Sequence, residues 1–298
     1  MNILTNFNYY NIKRISIDEE LDKSNLVVFK GKLNNKDIAI KEYIVNEDGR
    51  LDNNIINELY IGKNIDSERL LKIYGYSHNK DKSKYYLLME YINKGSVYQY
   101  IHHDKYYMKI TYKGEDSGKK PLTPYYHTPR NGSWNYIMSE QHKFSITKSI
   151  LKAIKSMYEN NIIHGDLKPD NLAVHKENND LYIKVIDYGT CFHSNGNIKL
   201  KYVIGTHGYA SPEQDEYILN HKSDIYSIGV TIIEIWVGTI FYKRTDKFNE
   251  IRNEILKSLR IIKKDNPELE KILRKCINTN YKKRPDIYQL YDMITNIE

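Results

Sequence analysis

The sequence predicts an α+β chain of two lobes, a small β-rich one with one main helix and then a larger α-helical one. Three observations lead there. Before residue 93 the apolar residues fall mainly in short β-branched runs, and beyond it they recur at helical spacing over longer stretches. The third is length. A chain of 298 residues suffices for one large domain or for two lobes with a cleft between them, and no internal repeat is visible.

The elements follow in order. "NLVVFKG" and "DIAIKEY" read as strands joined by the turn signal "LNNKD". "LDNNIINELYIGKNI" sets Ile55, Ile56, Leu59 and Ile61 at roughly helical spacing. "LLKIYGYS" and "KYYLLMEYI" are two more strands. In "FSITKSILKAIKSMYENN" the residues Ile150, Ile154, Met157 and Tyr158 share one helical face. "YIKVIDYG" contains a short strand, "SDIYSIGVTIIEIWVG" an apolar helix, and "LEKILRKCI" and "DIYQLYDMIT" amphipathic helices. Residues 103–143 stand apart, being rich in Gly, Pro, Ser, Lys and Tyr. Loops this long inside a domain are functional or disordered, and a short hairpin around "YKGEDSGKKP" is a weak reading within it.

Bulk properties exclude several classes. Apolar residues make up 40% of the chain, enough for a core and too many for global disorder. The net charge of +7 favours acidic partners, but the basic residues are spread without a dense Arg/Lys block, so nucleic acid is not an expected partner. Cys191 and Cys276 form no CxxC pair, which argues against a zinc site or a disulfide scaffold and fits a reducing compartment. His102, His103, His127 and His142 match no metal spacing. "MNILTNFNYYNIKR" is not patterned as a signal peptide. The longest apolar stretch, residues 228–241, is too short to span a bilayer and contains Glu234. The expected location is the cytoplasm or another reducing intracellular compartment, and the host-cell cytoplasm for a pathogen's chain. The sequence carries no signal for oligomeric state.

Four pieces carry the chemistry. Lys41 ends "IAIK", Glu58 lies on the following helix, "HGDLKPDN" spans residues 164–171, and "KVIDYG" brings Asp187 to a strand end before a turn. Each is ordinary alone: a surface Lys, a charged helix face, a polar loop, a strand-end Asp. Their order alters the odds. Phosphoryl transfer needs a cation for the phosphates, an anion to hold that cation, a carboxylate near the attacking hydroxyl, and ligands for Mg²⁺.

The chain here resembles the eukaryotic-type protein kinase family. "IAIK" is similar to that family's third-strand Lys motif, "HGDLKPDN" to its catalytic loop, and "DYG" to its metal-binding DFG. Downstream, "GTHGYASPE" (205–213) resembles the segment that ends in APE, "SDIYSIG" the helix that anchors the catalytic loop, and Arg284 in "KKRP" the Arg that pairs with the APE-type Glu, here Glu213. The resemblance covers nearly the whole chain except residues 103–143. It implies one kinase-like domain over 1–298, with an N-lobe at 1–92 and a C-lobe at 93–298.

The resemblance also implies roles. Lys41 would hold the α- and β-phosphates of ATP, with Glu58 fixing its ammonium. Asp166 would take the substrate hydroxyl's proton, and Lys168 would offset charge on the transferred phosphoryl. Asn171 and Asp187 would hold Mg²⁺ through hard oxygen donors. Met89 would back the adenine pocket, the backbone near Glu90 and Ile92 would bond the adenine edge, and Val28, Ala39 and Leu172 would line it. Ala39 and Leu172 would pack much the same way as plain core residues. Lys168 and Thr206 resemble the Ser/Thr-directed type. The implied partner is a protein substrate, and residues 103–143 are a candidate docking segment or a disordered loop.

Departures from the pattern set the alternatives. The three glycines of the family's phosphate loop fall on Leu21, Lys23 and Leu26. Each lost charge-assisted hydrogen bond would cost roughly 1.5–3 kcal/mol, and losing one or two would weaken nucleotide binding about ten- to a thousand-fold. Lys23 would compensate by reaching a phosphate, or it is a solvated loop residue. Gly165 replaces the Arg that receives an activating phosphate, or simply suits a tight backbone. Tyr188 adds a hydroxyl that needs a partner. Gly62 stands where a larger apolar residue is usual, which predicts a looser helix under Glu58. Cys191 is either a thiol near the nucleotide or a small core residue. Two functions remain: an ATP- and Mg²⁺-dependent protein Ser/Thr kinase, or a pseudokinase acting as a nucleotide-binding scaffold.

Overall fold

The β-rich half builds its sheet from hairpins. In the computed structural model, residues 8–11, 15–22, 27–45, 53–65, 67–101, 138–177, 180–238, 240 and 248–297 are described. Strands β1 (Ile15–Asp22), β2 (Val28–Leu33) and β3 (Lys36–Ile44) run antiparallel in succession. The β2–β3 turn places Asn34 and Asn35 at φ 52° and 64°, a left-handed conformation that Asn tolerates and that suits a two-residue hairpin. Helix α1 (Asn53–Asn64) follows, then β4 (Ile73–His78) and β5 (Lys84–Glu90). The sheet order is β1-β2-β3-β5-β4.

Alternation along β3 sorts its side chains. Ile38 and Ile40 join Leu33, Tyr86 and Leu88 on one face, whereas Ala39 and Tyr43 face α1 with Ile55 and Leu59. Lys41 shares that inner side, which places an ammonium where the pattern alone would put an apolar group.

The second half is mainly helical. Helix α2 (Glu140–Glu159) is capped by Ser139, whose hydroxyl accepts from His142 N, and it buries Ile150, Ile154 and Met157. Short strands β6 (Ile162–Ile163), β7 (Leu172–Glu177), β8 (Asp180–Val185), β9 (Phe192–His193), β10 (Ile198–Lys199) and β11 (Ile218–Leu219) pair as β6–β9, β7–β8 and β10–β11. A short helix α3 (Pro212–Asp215) precedes α4 (His221–Val237), which is buried along almost its whole length and starts in a capping box of Asn220 and Ser223. Helices α5 (Phe248–Asp265), α6 (Pro267–Cys276) and α7 (Ile287–Thr295) complete the lobe.

This is the two-lobed α+β arrangement that the sequence predicts, with several elements added, among them β1, β7 and α5. β1 is missing from the sequence reading because "ISIDEELD" is mostly charged. β7 directly follows the "HGDLKPDN" loop and is hidden by it. Helix α5 is missing from the sequence reading too, although Ile251, Ile255, Leu259 and Ile262 recur at helical spacing and are buried. Within the 103–143 segment, residues 103–137 lie outside the described part, as do His102, His103, His127, Lys23 and Leu26. Among the described residues no helix is long and apolar enough to cross a membrane.

Candidate active site

Three elements meet at Lys41. Its Nζ donates to Glu58 Oε1 at 2.7 Å and to Asp187 Oδ1 at 2.9 Å. β3 supplies the Lys and α1 the Glu, while Asp187 stands in the turn after β8. Lys41 is 7% exposed and Glu58 1%. Burial pulls the ammonium's pKa down, but Glu58 and Asp187 outweigh it and hold it well above its ordinary value, so Lys41 is charged. Burial also raises the Asp187 carboxyl, and the adjacent ammonium more than reverses this. A fourth group is absent from the sequence reading. Tyr43 Oη donates to Glu58 Oε1 at 2.5 Å. Its position two residues after Lys41, on the same face of β3, was the available signal.

The predicted loosening under Glu58 is corrected by the structure. A Cβ on Gly62 would stand 2.6 Å from Ile73 Cβ. The glycine lets α1 approach β4 closely, and the Lys41–Glu58 pair is formed.

The catalytic-loop residues gather around one carboxylate. Asp166 Oδ2 lies 3.2 Å from Lys168 Nζ, and Asn171 Nδ2 donates to the Asp166 carbonyl at 2.8 Å. Asp166 Oδ1 is buried without a hydrogen-bond partner among the described residues. Lys168 Nζ also donates to Thr206 Oγ1 at 2.7 Å, so the two markers of the Ser/Thr-like type are joined.

A buried frame fixes this loop. Asp224 on α4 accepts from His164 N at 2.7 Å and Gly165 N at 2.9 Å. Burial raises the Asp224 carboxyl to about 6. Gly165 has φ +78°, and a Cβ there would come 2.8 Å from Ile204 Cδ1. An L side chain at 165 would be strained, so the tight-backbone reading of this glycine accounts for it. Arg284 donates to both Glu213 oxygens, at 2.6 and 2.8 Å, which ties together stretches 71 residues apart.

The adenine-pocket candidates also come together. Ala39 lies opposite Met89 across β3 and β5, and Val28 opposite Lys41. Ala39, Met89 and Leu172 belong to one buried cluster, with Val28 and Ile92 packed against it. The Glu90 side chain instead takes two hydrogen bonds from Lys184 Nζ, both 2.9 Å. Cys191 is fully enclosed and burial raises its thiol well above the usual value, which is the environment of an unreactive core cysteine. Leu21 is part of β1, and the β1–β2 connection spans residues 23–27.

Two of these residues offer oxygens that suit magnesium. Asn171 commits its amide nitrogen to Asp166, which leaves its oxygen for a cation, and Asp187 keeps 44% of its side chain exposed. Two hard oxygen donors beside a cleft fit Mg²⁺, which takes its remaining ligands from phosphates and water. No cluster of three or more His, Cys, Asp or Glu able to hold a metal occurs among the described residues.

A family model described as "protein kinase domain" matches residues 24–293. The chain belongs to the protein kinase family. Calcium-dependent protein kinase 5 of Plasmodium berghei is 27% identical over 243 residues, covering 78% of this chain and 36% of that protein. A putative mitogen-activated protein kinase kinase kinase 7-like protein of Drosophila melanogaster is 24% identical over 274 residues, covering 88% and 61%. An Aurora kinase of Eremothecium gossypii is 29% identical over 193 residues, covering 64% and 42%. The kinase domain thus spans between 36% and 61% of the length of these relatives.

Proposed function

We propose that the chain is an ATP- and Mg²⁺-dependent protein kinase that phosphorylates Ser/Thr hydroxyls of proteins. The observation that carries this reading is the buried Asp166 Oδ1, without a hydrogen-bond partner among the described residues, beside Lys168 and Asn171. An orphaned buried carboxylate oxygen costs stability unless a ligand uses it. Bound Mg²⁺·ATP would supply the phosphoryl group and screen its charge.

The chain's own residues would do the rest. Lys41, held by Glu58, orients the phosphates; its charge is secured by the two carboxylates. Asn171 and Asp187 offer oxygens to the metal. Asp166 Oδ1 accepts the proton of the incoming hydroxyl as that oxygen bonds to the γ-phosphorus and the bond from that phosphorus to the ADP oxygen breaks, releasing ADP, and Lys168 offsets the charge that spreads on the transferred group. Val28, Ala39, Met89 and Leu172 enclose the adenine, and the backbone at Glu90 and Ile92 lies at its edge. The Lys168–Thr206 bond supports Ser/Thr as acceptor. Cys191 and Cys276 are both free and buried, which supports a reducing compartment.

The test is transfer of labelled phosphate from Mg·ATP to a generic protein acceptor. Asp166→Asn is expected to lower the rate by about 10²–10⁴-fold. A nucleotide-binding scaffold is favoured by Leu21, which stands where a phosphate-loop glycine is expected. It would show no transfer by the parent while Mg·ATP still raised the melting temperature.

A further inference from the structure

One side chain fastens α1 to the turn that follows Asp187. Asn57 Nδ2 donates to the backbone carbonyls of Tyr188, Gly189 and Cys191 at 2.9, 2.9 and 2.8 Å. An amide nitrogen carries two N–H groups, so one of them is shared between acceptors. The turn is shaped to receive it. Residues Tyr188–Thr190 form a single 3₁₀ turn, and two of its carbonyls, those of Tyr188 and Gly189, meet α1 at Asn57. Gly189 permits the approach, because a Cβ there would stand 3.2 Å from Asn54 Cβ. Asn54 and Asn57, three residues apart, lie on one helix face.

The position matters more than the bonds. Asn57 precedes Glu58, one of the two carboxylates on Lys41, and its acceptors begin just after Asp187, the other. Asp187 has φ 64° and ψ 74°, a left-handed conformation that a non-glycine residue keeps only when its surroundings over-determine it. The Tyr188 hydroxyl anchors the turn from beneath, donating to Val185 O at 3.0 Å and Leu71 O at 3.2 Å. Asn57 holds it from the helix side.

We propose that Asn57 is a positioning residue that joins α1 and the 188–191 turn into one unit, so that Glu58 and Asp187 reach Lys41 together. It acts through those two carboxylates and touches no reacting atom. Its kinetic consequence rests on the phosphotransfer reading above; the fastening itself does not.

Two variants separate the donor from its volume. Asn57→Asp keeps the size and loses the N–H groups, and Asn57→Ala loses both. Hydrogen exchange is the readout independent of activity. Amides of residues 53–64 and 188–192 are expected to exchange about ten-fold faster in both variants, while those of α4 keep the parent's rate. In the transfer assay, kcat should fall about ten-fold with KM for the protein acceptor unchanged. The double variant Asn57→Ala/Glu58→Gln should lose less kcat than the product of the two single losses, because Asn57 acts in part through Glu58. Parent-like exchange in either segment would overturn the proposal, as would multiplicative kcat losses in the double variant or parent-like behaviour of Asn57→Asp. If the parent transfers no phosphate, the proposed function fails, and the exchange result alone decides the fastening.

Discussion

At Tyr188 an aromatic ring and a hydroxyl are both buried, and the hydroxyl finds two backbone carbonyls, Leu71 O and Val185 O. Tyr188→Phe keeps the ring and removes the donor. It is expected to cost about 1 kcal/mol, read as a fall of about 2 °C in the thermal unfolding midpoint. An unchanged or raised midpoint would show that the hydroxyl contributes nothing. Of the site's polar groups, Lys41, Glu58, Asp166, Lys168, Asn171 and Asp187 were legible in order and spacing. Tyr43 and Asn57 were not. A Tyr in a β-branched strand reads as core, and an Asn in "LDNNIINEL" reads as a solvated helix face. Nothing local tells which buried carboxylate or which distant carbonyl each will meet.

Helix α1 shows how one small residue sets the distance between elements. Gly62 invites the reading of a loosened helix, but Ile73 of β4 fills the space a side chain would occupy. Gly62→Ala would force the helix and strand apart. Overpacking of this kind costs about 1–3 kcal/mol, so urea unfolding should show a lower midpoint at an unchanged m-value. Equal stability of parent and variant would mean that the contact yields easily. The same comparison explains what was readable at this scale. Alternation and helical spacing predicted β2 to β5, α1, α2 and α4, because each has an apolar face in contact with the core. β1 was hidden because its residues are largely charged and its position is set by pairing with β2, including two register shifts.

Across the whole molecule, a few buried polar pairs connect distant stretches of chain. Arg284 and Glu213 are one, and Asp224 with the backbone of His164 and Gly165 is another. Asp224 makes stability depend on pH. Burial raises its carboxyl to about 6 in the folded protein, above the ordinary carboxylate value. Between those two values the folded chain binds more protons than the unfolded one, so this contribution is full at low pH and lost as pH rises through about 6. The loss amounts to about 3 kcal/mol. Asp224→Asn removes it. Urea unfolding between pH 4 and 7 should therefore show the variant gaining on the parent as pH rises, and a constant difference would refute the assignment. The sequence by itself determined the class of the chain and the order of its candidate site residues, because strand and helix periods and short motifs are local chemistry. Only the tertiary structure decided that Lys41 serves two carboxylates, that Tyr43 shares Glu58, and that Asp166 keeps one oxygen without a partner among the described residues. The first of those facts joins residues 17 and 146 positions apart, and burial and pairing at such separations arise only when the chain packs.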